Sequence, residues 1–134
     1  MVRKRRRGAA IVDTPKGILL VSGKRKLFIL PGGEANRGES RRRAAIRELS
    51  EETGLHSISA RYLFKCVGPV HKSYSGGHFQ DHNKVFLIKA TGKARPRHEI
   101  RHIDYYKSGS KLRVSSTTKK IIDKYLNTKP NITD

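Results

Sequence analysis

The sequence lacks several features that would place it in other protein classes. It has 134 residues, no tryptophan, one methionine and one cysteine, so no internal disulfide can form. We expect that cysteine, Cys66, to pack in a strand as a small hydrophobic side chain, in a reducing compartment. No apolar run approaches the length of a membrane span, and the apolar segment after Arg3 to Arg7 stops at Asp13, too short for a signal peptide. We therefore expect an unprocessed cytoplasmic protein with no membrane contact.

Acidic residues are also scarce. There are 11 aspartates and glutamates against 30 lysines and arginines, which gives a formal net charge of +19. The basic residues cluster at positions 3–7, 24–26, 41–43 and 93–101. Such a charge attracts polyanions such as nucleotides, polyphosphates or RNA, but it also keeps a surface solvated. Charge alone leaves both interpretations open.

Five of the few acidic residues fall within one 23-residue segment, Gly33 to Leu55. The segment reads as a glycine, five residues, a glutamate, seven residues, and then Arg47-Glu48-Leu49-x-Glu51-Glu52-x-Gly54-Leu55. This pattern resembles the Nudix box at every specified position. A chance match anywhere in the chain falls below about one in ten million at ordinary residue frequencies.

Spacing alone predicts one domain over residues 1–134, of the α+β or α/β class. Resemblance to the Nudix family implies the more specific α/β fold, an α/β/α sandwich. In that fold a mixed β-sheet has the box helix on one side and the C-terminal helix on the other. We expect a basic tail over about residues 1–7 and a flexible tail over about residues 127–134.

Local signals predict the helices more sharply than the strands. Ser40 is a good N-cap, a helix should run to about Thr53, and Gly54 stands where a left-handed C-cap is expected. Ser115 or Ser116 should cap a last helix. Strands are predicted at residues 9–12, 17–22, 27–30, 56–67, 84–90 and 100–106, with a loop over residues 69–83.

The box helix should carry its carboxylates on one face. At about 100° per residue, Glu48, Glu51 and Glu52 fall within a sector of about 100°, and Ala45 and Leu49 point elsewhere. Like charges placed so close favour a divalent cation. Hard oxygen ligands of this kind suit Mg²⁺ or Mn²⁺, although an ordinary solvated helix face is the simpler alternative for such a pattern.

The resemblance implies a role for each residue of the motif. Glu51 and Glu52 would be the main metal ligands, and Gly32 would offer its backbone carbonyl to the same ion. Glu48 would be a further ligand or the general base that activates water. Arg47 would pair with a box glutamate and hold its rotamer.

Other candidate residues carry two interpretations each. Glu39 would support the loop or hold a second metal, and Glu99 is either an extra acidic residue at the metal or a surface glutamate. Arg41 lies on the same helical face as the carboxylates, where it could hold a polyphosphate or nucleic acid, or belong to a tolerated exposed cluster. Tyr74 and Phe79 are candidates for stacking on a base.

The activity implied by the resemblance is metal-assisted attack of water on the diphosphate linkage of a nucleoside diphosphate derivative. The compact chain resembles the MutT-like branch, which pyrophosphohydrolyses nucleoside triphosphates. Dinucleoside polyphosphates, ADP-ribose and the 5′ end of RNA are alternative substrates. A nucleic-acid-binding protein that uses this fold without turnover is an alternative of another class.

Overall fold

A computed structural model describes residues 1–128 of the chain. The elements in chain order are β1 (Val2–Ile11), β2 (Asp13–Thr14), β3 (Gly17–Ser22), β4 (Gly32–Glu34), α1 (Arg41–Thr53), β5 (His56–Lys72), β6 (His78–Thr91), β7 (His102–Tyr106) and α2 (Ser116–Thr128). Neither of the two helices in this part of the chain is long and apolar enough to cross a membrane.

The strands form two sheets. The larger has the order β4-β1-β6-β5, and β1 and β6 are its parallel pair, running from Val2 opposite His78 to Ile11 opposite Leu87. The β4–β1 and β6–β5 pairs are antiparallel, so this sheet is mixed. The smaller sheet, β2-β3-β7, is antiparallel.

Strand β1 separates two hydrophobic cores because its side chains alternate between the faces of the sheet. Ala9 and Ile11 pack with Ile121 and Ile122 of α2, whereas Ala10 packs with the apolar residues of α1. The two helices therefore cover opposite faces of the β-structure. This is the α/β/α sandwich with a mixed sheet that the resemblance implied.

Helix α1 has the bounds that its capping residues predicted. The Ser40 side chain accepts a hydrogen bond from the Arg43 N–H at 3.1 Å, and Gly54 ends the helix with φ 78°. The helix backbone also lies very close to β1 at Gly8. A Cβ there would stand 2.0 Å from the Arg41 carbonyl oxygen, so only glycine fits.

The expected N-terminal tail was wrong, since residues 2–7 form the first half of β1. Charged side chains are no obstacle to this strand because they project beyond the cores. Arg5, for example, lies beside Asp81 of β6, with Nε 2.6 Å from Oδ1. At the other end, residues 127 and 128 belong to α2, and residues 129–134 of the predicted C-terminal tail lie outside the described residues.

Two further predictions about strands were wrong. Most of the predicted loop over residues 69–83 belongs to β5 and β6, whose hairpin turn is confined to residues 73–77. Register shifts between Val67 and Val70 let β5 pass Gly68-Pro69 without ending. The predicted strand over residues 27–30 makes only isolated bridges, from Phe28 to Val114 and from Ile29 to Val21.

Candidate functional site

Two of the three carboxylates on α1 meet at one nitrogen atom. Arg47 Nη1 donates to Glu48 Oε1 at 2.8 Å and to Glu51 Oε2 at 3.2 Å. The Glu51 side chain is half exposed, and that of Glu48 is mostly covered. Helical spacing thus brings these two acids together, and they share the single positive charge of the neighbouring arginine.

The third carboxylate, Glu52, is buried. It is 7% exposed, and its Oε1 accepts a hydrogen bond from the Gly32 N–H at 3.1 Å. Burial, with smaller contributions from the charges of Glu48 and Glu99, raises the pKa of Glu52 to about 8. The Gly32 N–H and the charge of Arg7 lower the pKa but do not offset the burial.

The glycines of β4 allow the box glutamates to lie close to this strand. A Cβ at Gly33 would stand 2.5 Å from Glu48 Cδ and 2.7 Å from its Oε1, so the carboxylate lies directly against the strand. Gly32 contacts the site through its N–H. The role predicted for the Gly32 carbonyl, as a metal ligand, stays a prediction.

Arg47 also fixes the loop before the helix. Its Nε and Nη2 donate to the two oxygens of Glu39 at 2.9 and 3.0 Å, and Nη2 donates to the Glu34 carbonyl at 3.2 Å. The Arg47 hydrogen bonds, helped by the Asn36 N–H, lower the pKa of Glu39 to about 2. Glu39 is thus engaged in holding the loop.

These residues fit a divalent cation by their chemistry. No three His, Cys, Asp or Glu side chains among residues 1–128 are already grouped as a metal centre. Instead, Arg47 engages Glu48 and Glu51, and a backbone N–H engages Glu52. The buried Glu52 is nevertheless costly to ionise without a cation, and oxygen donors one helical turn apart are the ligands that Mg²⁺ or Mn²⁺ takes. Binding would require Glu48 and Glu51 to exchange the arginine for the ion.

A cavity of about 300 Å³ adjoins Gly32 on the α2 side of the larger sheet. Arg5 and Arg7 of β1 line it together with Asp81 and Asn83 of β6 and the start of α2. Asp81 binds Arg5 through both carboxylate oxygens, at 2.6 and 3.1 Å, which holds the pKa of Asp81 below its usual range even though burial opposes this. Asn83 is 7% exposed, and its amide has no hydrogen-bond partner within residues 1–128.

The remaining sequence-based candidates are Phe79, Tyr74, Arg41 and Glu99, and they lie in different parts of the structure. Phe79 packs beneath Arg5, whose Cζ is 4.2 Å from the ring centroid, at the edge of the cavity. Tyr74 is fully exposed in the β5–β6 turn. Arg41 donates a hydrogen bond to the His82 carbonyl on the face of the larger sheet opposite the cavity beside Gly32. Glu99 is exposed, and its negative charge helps to raise the pKa of Glu52.

Four residues discussed above that line the cavity were not among the sequence-based candidates: Arg5, Arg7, Asp81 and Asn83. The two arginines lie in the segment interpreted as a tail, and the other two residues lie in the segment interpreted as a loop. Their juxtaposition depends on the parallel pairing of β1 with β6, in which Arg5 lies opposite Asp81 and Arg7 opposite Asn83. No local pattern announces such a pairing.

Comparison with known proteins agrees with the motif and the fold. The sequence matches the NUDIX domain family over residues 2–110, so the chain belongs to that family. Its fold is that of a crystal structure described as a "putative nudix hydrolase family member" from Chromobacterium violaceum. That structure has a TM-score of 0.78 and 33% identity over 96% of this chain and 80% of the other.

Relatives of the MutT type are among the similar proteins. A MutT NUDIX hydrolase from Burkholderia pseudomallei has the same fold, with a TM-score of 0.74 and 22% identity over 90% of this chain and 97% of the other. A Bacillus subtilis (strain 168) protein described as a "putative 8-oxo-dGTP diphosphatase" is 38% identical over 86 residues. That match covers 61% of this chain and half the length of the relative.

Proposed function

We propose that the protein is a Mg²⁺- or Mn²⁺-dependent hydrolase that cleaves the diphosphate linkage of a nucleotide, with nucleoside triphosphates as its main substrates. The observation that carries this proposal is the set of three box carboxylates around β4. Two of them share one arginine nitrogen, and the third is buried with a raised pKa. Generic acidic helix faces are solvated, whereas this one is partly covered and opens beside a cavity.

The protein groups would divide the chemistry among them. Glu48, Glu51 and Glu52 would hold the ion, which when bound neutralises phosphate oxygens and lowers the pKa of a water molecule. Glu48, which packs against Gly33, would also accept a proton from attacking water. Arg47 would keep Glu48 and Glu51 in place before the ion replaces it, and it would stay bonded to Glu39 afterwards.

The cavity beside Gly32 would hold the rest of the nucleotide. Arg7 lines the cavity with its Nε 3.9 Å from Asp81, and its charge lowers the pKa of Glu52. That position suits a cation for the phosphates. The unpaired amide of Asn83 offers one donor and one acceptor to the edge of a base.

The relatives favour the MutT-like substrate class over the alternatives. The Bacillus subtilis relative is described as acting on 8-oxo-dGTP, and the cavity, at about 300 Å³, is of the size that holds part of a small ligand. ADP-ribose, dinucleoside polyphosphates and the 5′ end of RNA share the same diphosphate chemistry. They are therefore alternatives to be separated by measurement.

A turnover screen tests the proposal. The full chain with Mg²⁺ would be assayed on nucleoside triphosphates including 8-oxo-dGTP, ADP-ribose, diadenosine polyphosphates and 5′-triphosphorylated RNA. We expect turnover with triphosphates, its loss in Glu51→Gln, and its retention in Asp123→Asn. The last variant removes an exposed acid whose only ion pair within residues 1–128 is with Lys119.

The same variants address the non-enzymatic alternative. A protein that only binds nucleic acid would show no turnover with any of these substrates, and Glu51→Gln would keep or raise its affinity for RNA. That pair of results would contradict the proposed hydrolase.

A further inference from the structure

A second cavity, of about 260 Å³, lies on the face of the larger sheet that α1 covers. It opens next to the first residue of α1, on the side of the sheet opposite the cavity beside Gly32. Alternation along β1 explains the separation, because Lys4 and Arg6 face this side, and Arg5 and Arg7 face the other. Its lining consists of Lys4, Arg6, Arg41, Lys65, Val67, His82 and Asn83.

Four of these residues carry a positive charge, and the lining contains no carboxylate. Arg6 donates to the Glu39 carbonyl at 3.2 Å and Arg41 to the His82 carbonyl at 3.3 Å, so both are oriented by groups without net charge. Within residues 1–128, Lys4 and Lys65 have no ion pair or hydrogen-bond partner for their side chains. On the other face of the sheet, by contrast, Asp81 balances the charge of Arg5.

Two other features of the cavity wall also favour a negative ligand. The first turn of α1 contains no acidic residue, although the positive end of a helix prefers one. His82 Nε2 is buried with no hydrogen-bond partner in the described part of the chain. Unpaired buried polar atoms are rare and call for a physical explanation.

We propose that this cavity is a phosphate-binding site, separate from the carboxylate centre. Arg6 and Arg41 are already ordered by backbone carbonyls, so they would lose little freedom on binding, and Lys4 and Lys65 add charge at the rim. The ligand is a phosphate group, supplied either by the backbone of a single-stranded oligonucleotide or as a free phosphate ion. This site does not depend on the proposed hydrolase activity.

The test removes the charges of two lysines whose side chains have no ion pair or hydrogen bond within residues 1–128. Lys4→Gln/Lys65→Gln neutralises two side chains of the cavity. Lys24→Gln/Lys120→Gln is the matched control, because it removes the same charge from two exposed lysines outside every cavity described above. Far-ultraviolet circular dichroism and thermal melting would establish that both variants fold like the wild type.

Binding would be measured on the full chain in EDTA, which prevents turnover. Fluorescence anisotropy follows a labelled single-stranded oligonucleotide from 50 to 200 mM NaCl, and NMR titration follows inorganic phosphate. We expect Lys4→Gln/Lys65→Gln to bind several-fold more weakly than the control at 50 mM NaCl. We also expect its salt slope to be shallower by about one, as for one lost phosphate contact.

The two ligands distinguish the source of the phosphate. A selective loss of oligonucleotide binding assigns the site to a nucleic-acid strand, and a selective loss of inorganic phosphate binding assigns it to the free ion. If the cavity variant and the control weaken both ligands equally, the attraction belongs to the overall charge and the proposed site is wrong.

Discussion

Glu52→Gln should stabilise the metal-free protein at high pH and abolish its turnover. The folded protein holds the Glu52 proton with a pKa of about 8, against an ordinary value of 4.5, mainly because the carboxyl group is buried. Between these two pH values the folded state binds the proton and the unfolded state releases it. The free energy of unfolding therefore falls as pH rises from about 4.5 to about 8.

The size of this effect follows from the pKa difference. One pKa unit corresponds to about 1.4 kcal/mol, so the loss amounts to a few kcal/mol and on the order of 5 at most. Glutamine stays neutral at every pH and its side-chain oxygen can still accept the Gly32 N–H. The free energy of unfolding of Glu52→Gln should therefore not fall in this way as pH rises.

Urea unfolding in EDTA at pH 5.5, 7.0 and 8.5 measures the difference. Wild type should lose stability relative to Glu52→Gln as pH rises, and Asp123→Asn should follow the wild type. Apart from Glu52 and Asp123, the three proteins have the same titratable groups, so the contribution of those groups cancels in the comparison. Mg²⁺ added in excess over the EDTA at pH 8.5 should restore the wild type and Asp123→Asn but not Glu52→Gln, because only the Glu52 carboxylate gains a counterion.

Parallel pH profiles for wild type and Glu52→Gln would refute this reasoning. They would mean that the Glu52 carboxylate is ionised in the folded protein at an ordinary pKa, and hence that burial does not control it. Equal stabilisation of both proteins by Mg²⁺ would show that the ion binds without Glu52.

Three smaller changes test the packing around the site. Gly33→Ala should lower kcat by roughly 100-fold with the fold intact, because the new Cβ displaces the Glu48 carboxylate; unchanged steady-state kinetics would contradict the contact. Gly8→Ala should cost about 1–3 kcal/mol in urea unfolding, since its Cβ meets the Arg41 carbonyl oxygen, and a neutral result would show that α1 can move away. Ser40→Ala should cost about 1 kcal/mol through the lost N-cap, measured by thermal melting against Ser40→Thr, which retains the hydroxyl.

The box helix was predictable because its determinants are local. Ser40 caps it, Gly54 ends it, and both act within one turn of the residues they satisfy. The pairing of Arg47 with Glu51 follows from their spacing of four residues on the helix. The bounds of the helix that carries the carboxylates could therefore be predicted from the sequence alone.

The cavities were not predictable from the sequence, because they depend on contacts between distant segments. The consecutive basic residues of β1 are typical of a solvated tail in the sequence. They form a strand because β6 pairs with β1 over ten residue positions. In the same way, Gly68-Pro69 and the glycines near residue 76 are typical of a loop. In the structure, β5 continues through Gly68-Pro69 by shifts in register, and the glycines near residue 76 form a tight turn. Charge and turn residues report local preference, and these strands are set by long-range pairing.

The burial of Glu52 has a consequence for where a cation is needed. Arg47 supplies one positive charge, which Glu39, Glu48 and Glu51 share, so the protein balances these acids only in part. Within residues 1–128, Glu52 has only a backbone N–H as its hydrogen-bond partner, and burial raises its pKa. The site therefore needs further positive charge, both for the acids that share Arg47 and for ionisation of the buried Glu52 beside Gly32. An ion that met this need would lie next to the cavity where the nucleotide is proposed to bind, so burial of one glutamate would couple metal binding to substrate position.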